Sequence, residues 1–229
     1  MIVYLSSINE LKDAASYDAA FLRITEERKN SVLKFASVED RKRSIVAGLL
    51  LNYIFKEWCC RESDPADGKK SPDVVKISVK DLLSAEKQNF TVCKKENGKP
   101  FFAENPGIHY NLSHSKDYVV CAVSEKEIGA DIQYAQRNCK ESFIKKIMTE
   151  SEYLKFVNME PERKKLFPYC LWTVKESACK YTGKGLKQDF QDMEVDFEKS
   201  RVHILSNDEF ISFRAERYEK NYVLSVCYK

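Results

Sequence analysis

Two stretches hold residues whose types and spacing could do chemistry. One reads Ile128-Gly129-Ala130-Asp131-Ile132-Gln133. The other reads Trp172-Thr173-Val174-Lys175-Glu176-Ser177, then Lys180 and Gly183-Lys184-Gly185-Leu186. The first predicts a strand packed on one side by Ile128, Ala130 and Ile132. Side chains alternate along a strand, so Asp131 and Gln133 share the other face. The second predicts a helix with Glu176 and Lys180 one turn apart on one face. Two carboxylates, an amide and two lysines make an oxygen-rich site rimmed by positive charge. Such a site suits a hard divalent cation bridged to phosphate, and hence phosphoryl-type transfer.

Each element also has a plainer reading. An edge strand with a solvated polar face shows the same alternation. Glu176 and Lys180 make an ordinary helix pair worth about 0.2–0.5 kcal/mol. Gly183 serves equally as a helix C-cap or as a place where backbone approaches a ligand. Ser113-His114 is not a nucleophile and its base, because neighbours on a strand point to opposite faces.

Composition narrows the class. The chain has 229 residues and 43% hydrophobic content, enough for one large domain or two small ones. No apolar run approaches the ~20 residues of a membrane span. The first residues, Met1-Ile2-Val3-Tyr4-Leu5-Ser6, lack the basic segment of a signal peptide and read as a strand. A net charge of +3 without a basic–aromatic stripe argues against nucleic acid. The eight cysteines, including Cys59, Cys60 and Cys121, show no zinc spacing and read as reduced, buried thiols of a cytosolic protein.

The positioning elements follow from pattern. Residues 8–35 are polar and helical in character. Ser37 stands as N-cap before a helix with Ile45, Val46, Leu49, Leu50, Tyr53 and Ile54 on one face. Arg41, Lys42 and Arg43 in its first turns oppose the macrodipole, which marks them as functional candidates. Residues 61–73 read as a surface loop and 74–134 as β-rich. Residues 124–127 form a hairpin or an inter-domain joint. Residues 139–182 are helical with breaks near Pro161 and Pro168, and four strands follow within 190–228. Strand, helices and strands thus occur twice, which predicts an α+β protein of two halves, 1–124 and 125–229, with mainly antiparallel sheets.

Four ordered blocks resemble the Sfp-type 4′-phosphopantetheinyl transferases. They are the N-terminal stretch from Thr25-Glu26-Glu27-Arg28 to Arg43, Gly98-Lys99-Pro100, Tyr110-Asn111-Leu112-Ser113-His114-Ser115, and the two stretches above. The resemblance implies a pseudo-dimer of two similar halves with the active site in the cleft between them. It implies transfer of the phosphopantetheine arm of coenzyme A to a serine of an apo acyl or peptidyl carrier protein. The alternative is a non-catalytic protein that binds coenzyme A or a carrier.

By the same resemblance Asp131, Gln133 and Glu176 hold Mg²⁺, with Mn²⁺ as a substitute, and Glu176 also acts as base. Lys175, Lys180 and His114 contact phosphate. Lys99 and Pro100 cradle adenine with backbone groups, and Ser113 also contacts the coenzyme. Arg28 and Arg43 hold the 3′-phosphate. The chain departs from the family at Gln133, usually Glu, and at Ser31, often Lys. The protein is expected to be cytoplasmic and monomeric, without membrane or nucleic-acid partners.

Overall fold

Residues 1–59, 73–135, 139–185 and 188–229 are described by the computed structural model. They divide into two units, Met1–Glu96 with Pro100–Glu125, and Asn97–Lys99 with Lys126–Lys229. Apart from Asp73, the surface loop expected at 61–73 lies outside the described residues, as do Cys60 and Leu186. Among the described residues no helix is long and apolar enough to cross a membrane.

The first unit runs β1 (Ile2–Ser7), α1 (Ala14–Arg23), α2 (Glu26–Val32), α3 (Val38–Cys59), β2 (Asp73–Lys76), α4 (Val79–Ser84), β3 (Val92–Lys94), β4 (Pro100–Phe102), β5 (His109–Ser115) and β6 (Tyr118–Ser124). Its main sheet has the order β2-β1-β6-β5, with only the β1–β2 pair parallel. The expected N-cap forms: Ser37 Oγ accepts from the Asp40 amide at 3.3 Å. The expected apolar face of α3 is the unit's core, with Ile45, Val46, Leu49, Leu50 and Ile54 fully buried and Tyr53 packed at its edge. Helix α4 interrupts the stretch read as β-rich. Ser78 caps it through the Asp81 amide at 3.0 Å, and Val79 and Leu82 fix it to the core. Six residues are too few to show a helical period.

The second unit runs β7 (Gly129–Tyr134), α5 (Glu141–Ile147), α6 (Glu150–Val157), α7 (Pro161–Thr182), β8 (Met193–Asp196), β9 (Arg201–Ile204), β10 (Glu209–Tyr218) and β11 (Tyr222–Tyr228). Its five strands are antiparallel in the order β7-β11-β10-β9-β8. Because β6 and β7 belong to different sheets, residues 124–127 are a joint and not a hairpin. Pro161 starts α7, as proline at the first helical position does. Pro168 was expected to break the helix and instead lies inside it. The proline costs one backbone hydrogen bond, and the buried run that follows, including Leu171, Val174 and Ala178, holds the helix together.

Helix α7 packs on β7 and β11 at very short range. Ser177 Oγ meets Ser225 Oγ at 2.9 Å on β11. On β7 the contact point is Gly129. A Cβ there would fall 2.1 Å from the Ser177 carbonyl oxygen and 2.3 Å from the Tyr181 amide nitrogen. Only a residue without a side chain lets the helix backbone lie on the strand this closely. Residues 129, 131 and 133 alternate to the same face, so the contact at Gly129 turns Asp131 and Gln133 toward α7.

Gly129→Ala should therefore force α7 away from β7. Overpacking of this kind costs about 1–3 kcal/mol. A lowered urea midpoint at unchanged m-value is the expected outcome; wild-type stability in the variant would mean that the helix and strand are not in backbone contact.

Candidate functional site

Asp131 sits on β7 opposite Ser225 of β11, and Gln133 opposite Val223. Asp131 is buried and Gln133 half-buried, while Ala130 and Ile132 fill the opposite face. Lys180, on the facing side of α7, donates to Asp131 Oδ1 at 2.7 Å. Glu176 lies one turn earlier. Its Oε1 is buried and has no hydrogen-bond partner among the described residues. Burial, and then the Asp131 charge, push the Glu176 carboxyl above the usual carboxylate range, with Lys180 pulling against them. Glu176 and Lys180 are thus not an isolated surface pair. They form one charged cluster with Asp131.

A divalent cation is the group this arrangement would hold. The donors are two carboxylates and the Gln133 amide oxygen, all hard oxygen ligands. Glu176 Oε1 supplies an orphaned acceptor where a cation would satisfy it. Among the described residues no three His, Cys, Asp or Glu side chains group as a metal site. Asp131, Glu176 and the Gln133 oxygen fit a hard cation, with one formal charge fewer than three acids would give.

Lys175, expected on a phosphate, is turned into the second unit instead. It is fully buried. Its ammonium donates to Glu152 Oε2 at 2.6 Å, to the Ile147 carbonyl at 2.8 Å and to the Phe190 carbonyl at 2.9 Å. All three donors are used. The reason is helical geometry: adjacent residues lie about 100° apart, so Lys175 cannot share the face of Glu176. The Lys175–Glu152 pair instead joins α7 to α6, and Glu152 in turn accepts from the Thr149 and Val195 amides.

The glycines after α7 have structural reasons. Gly183 adopts a left-handed conformation at φ 73° as the C-cap. A Cβ there would also fall 2.1 Å from Asn97 Nδ2. Lys99 is buried and Pro100 half-buried. The Lys99 amide donates to Asn97 Oδ1 at 3.2 Å.

In the first unit, Arg28, Arg43, Ser113 and His114 line one cleft of about 240 Å³. Ser113 is buried and His114 exposed, as alternation on β5 requires. The Arg43 guanidinium is already held by the Asp40 carboxylate and by the Lys116 carbonyl at 2.9 Å. The Arg28 guanidinium has no hydrogen bond or ion pair to a described residue. Burial lowers its pKa from the usual arginine value. A half-buried cation that forms no ion pair with a described residue, although the Glu27 charge lies near enough to favour it, makes this cleft a candidate anion site. Sequence reasoning gave the two arginines equal standing, and missed Gly129 altogether. The only available signal was a glycine inside a strand pattern.

Comparison with known proteins finds a likeness for part of the chain. Residues 127–227 match the family model of the 4′-phosphopantetheinyl transferase superfamily. Asp131, Gln133, Glu176 and Lys180 all fall inside that segment, which is the part of the chain that resembles the superfamily. The chain is 30% identical over 136 residues to a 4′-phosphopantetheinyl transferase of Bacillus subtilis, covering 58% of this chain and 60% of that protein. It is 29% identical over 145 residues to 4′-phosphopantetheinyl transferase Sfp of Bacillus subtilis strain 168, covering 62% and 64%. A longer match, 24% over 208 residues, is to 4′-phosphopantetheinyl transferase gsp of Aneurinibacillus migulanus, covering 89% and 76%. The first two matches thus span less than two thirds of those relatives.

The raised pKa of Glu176 has a measurable sign. The folded protein holds this proton more tightly than the unfolded chain. The benefit is complete below the ordinary glutamate pKa of about 4.3 and is lost as pH rises through the folded value. Above that value the wild type carries a buried charge that Glu176→Gln lacks. In metal-free buffer, the variant's Tm relative to wild type should rise between about pH 4 and pH 8. A difference that stays flat across this range would contradict the assigned environment.

Proposed function

We propose that the protein is a 4′-phosphopantetheinyl transferase. It moves the phosphopantetheine arm from coenzyme A to a serine hydroxyl of an apo acyl or peptidyl carrier protein and releases adenosine 3′,5′-bisphosphate. The observation that carries this reading is the Glu176 carboxylate, buried beside Asp131 with one oxygen lacking a partner. A carboxylate in this setting suits the role of general base, and its raised pKa makes it a better one.

Asp131, Glu176 and Gln133 would hold Mg²⁺, with Mn²⁺ as a substitute. When bound, the cation neutralises and orients the pyrophosphate. Glu176 accepts the proton of the attacking serine hydroxyl. Lys180, held at Asp131 in the protein alone, supplies positive charge for the leaving phosphate. Lys175 is left out of this assignment because its donors are spent inside the unit. Arg28 and Arg43, with Ser113 and His114, take the 3′-phosphate in the first unit's cleft. The Lys99-Pro100 backbone holds the adenine. The buried thiols of Cys121, Cys179 and Cys227 suit a reducing compartment, and the protein is proposed to work in the cytoplasm as a monomer.

Two experiments test this reading. Incubated with coenzyme A, Mg²⁺ and a panel of apo carriers, the wild type should add the phosphopantetheine mass to at least one carrier, and Glu176→Gln should not. Transfer at wild-type rate by Glu176→Gln removes the base assignment. Folded wild type that modifies no carrier favours the non-catalytic binding protein.

The arginines divide unequally. Arg28→Ala should raise the KM for coenzyme A by roughly 10–100-fold, the loss of one charge-assisted contact of ~1.5–3 kcal/mol. It should change the KM for dephospho-coenzyme A much less. Arg43→Ala should discriminate less, since Asp40 already shares that guanidinium. Equal losses for both substrates would place Arg28 away from the 3′-phosphate.

A further inference from the structure

Residues 97–99 belong to the second unit although they lie within the first half of the chain. Lys99 ties them in. Its side chain is only 8% exposed. The ammonium pairs with the Glu127 carboxylate and donates to the Ile128 carbonyl at 3.3 Å and the Tyr181 carbonyl at 3.0 Å. Its Nζ also lies 5.9 Å from the centroid of the Tyr181 ring. A backbone cradle for adenine needs no buried ammonium at this position, so the side chain has a separate purpose.

The partners of that ammonium are the two elements that carry the site. Glu127 and Ile128 lead directly into β7, which bears Asp131 and Gln133. Tyr181 lies in the last turn of α7, which bears Glu176 and Lys180. The last carbonyls of a helix have no intrahelical partner and carry partial negative charge, so a cation there is favourable. One ammonium therefore bridges the start of β7 and the end of α7. It does so beside Gly129, where the helix backbone meets the strand. The glycine permits the close approach, and the lysine holds it.

We propose that Lys99 is a positioning residue for the metal site: its ammonium clips α7 to β7 and so fixes the separation of Asp131 and Glu176. The inference rests on reading Asp131, Gln133 and Glu176 as cation ligands. The clip acts on the oxygens from a distance, through the two backbones. Its loss should therefore loosen the metal site before it disturbs the binding of adenine.

The test compares wild type, Lys99→Met and Lys99→Arg as full chains. Mn²⁺ affinity is titrated with and without saturating coenzyme A, and kcat and KM for coenzyme A are measured with an apo carrier. Lys99→Met should weaken Mn²⁺ binding about 10-fold, as loss of outer supports of a metal site does. It should lower kcat more than it raises KM, and Lys99→Arg should recover most of both. Wild-type Mn²⁺ affinity in a folded Lys99→Met protein, with only KM raised, would overturn the clip.

Should Lys99→Met fail to fold, Glu127→Gln leaves the ammonium and both carbonyl bonds in place and removes its charge partner. A smaller loss of Mn²⁺ affinity in that variant supports the clip, and no loss overturns it. Wild type that binds no Mn²⁺ under either condition refutes the metal reading instead. The clip is then judged by amide hydrogen exchange at Tyr181, which should be faster in Lys99→Met, or in Glu127→Gln where Lys99→Met does not fold; unchanged exchange overturns it.

Discussion

The backbone of one helix rests on a glycine of one strand, and the second unit is arranged around that contact. At Gly129 the distance between α7 and β7 is set by the absence of a side chain. Side chains on the contacting face of β7 then face the helix. Asp131 is buried against Lys180, and Glu176 is brought close enough for the Asp131 charge to raise its pKa. Asp131 and Gln133 are read here as cation ligands because of this spacing, more than because of their residue types.

Burial decides which charged groups on α7 are available for chemistry. Lys175 and Glu176 are neighbours in sequence and have opposite fates. Lys175 turns into the unit, where Glu152 and two carbonyls use every donor. Truncating one member of a buried pair costs about 3–5 kcal/mol, since the other charge is left alone. The pair therefore anchors the helix rather than a ligand. Glu176 turns toward β7 with an oxygen unsatisfied. An unsatisfied buried oxygen of this kind costs stability in the protein alone, and a bound cation would satisfy it. In the first unit the same logic separates Arg43, held by Asp40, from Arg28, which has no such partner.

Much of this was legible in the sequence where a regular period ran long enough. The apolar face of α3 and the two-residue alternation around Asp131 are such patterns, and the structure has both. The antiparallel α+β organisation also follows from pattern, and the superfamily segment agrees with the resemblance in the motifs. What was not legible depended on partners distant in sequence. Nothing near Lys175 announces Glu152, and nothing near Lys99 announces Tyr181. Helix α4 is too short to show a period. Pro168 reads as a breaker because the burial that outweighs it comes from other elements. Gly129 needed the position of a helix backbone that only the folded chain supplies.

The central claim is that Asp131 and Glu176 converge on one divalent cation. Mn²⁺ binding followed by electron paramagnetic resonance, in the presence of coenzyme A, tests it most directly. The account predicts one bound Mn²⁺ per wild-type chain, strongly weakened in both Asp131→Asn and Glu176→Gln while the variants remain folded. Undiminished Mn²⁺ binding in either variant would contradict it.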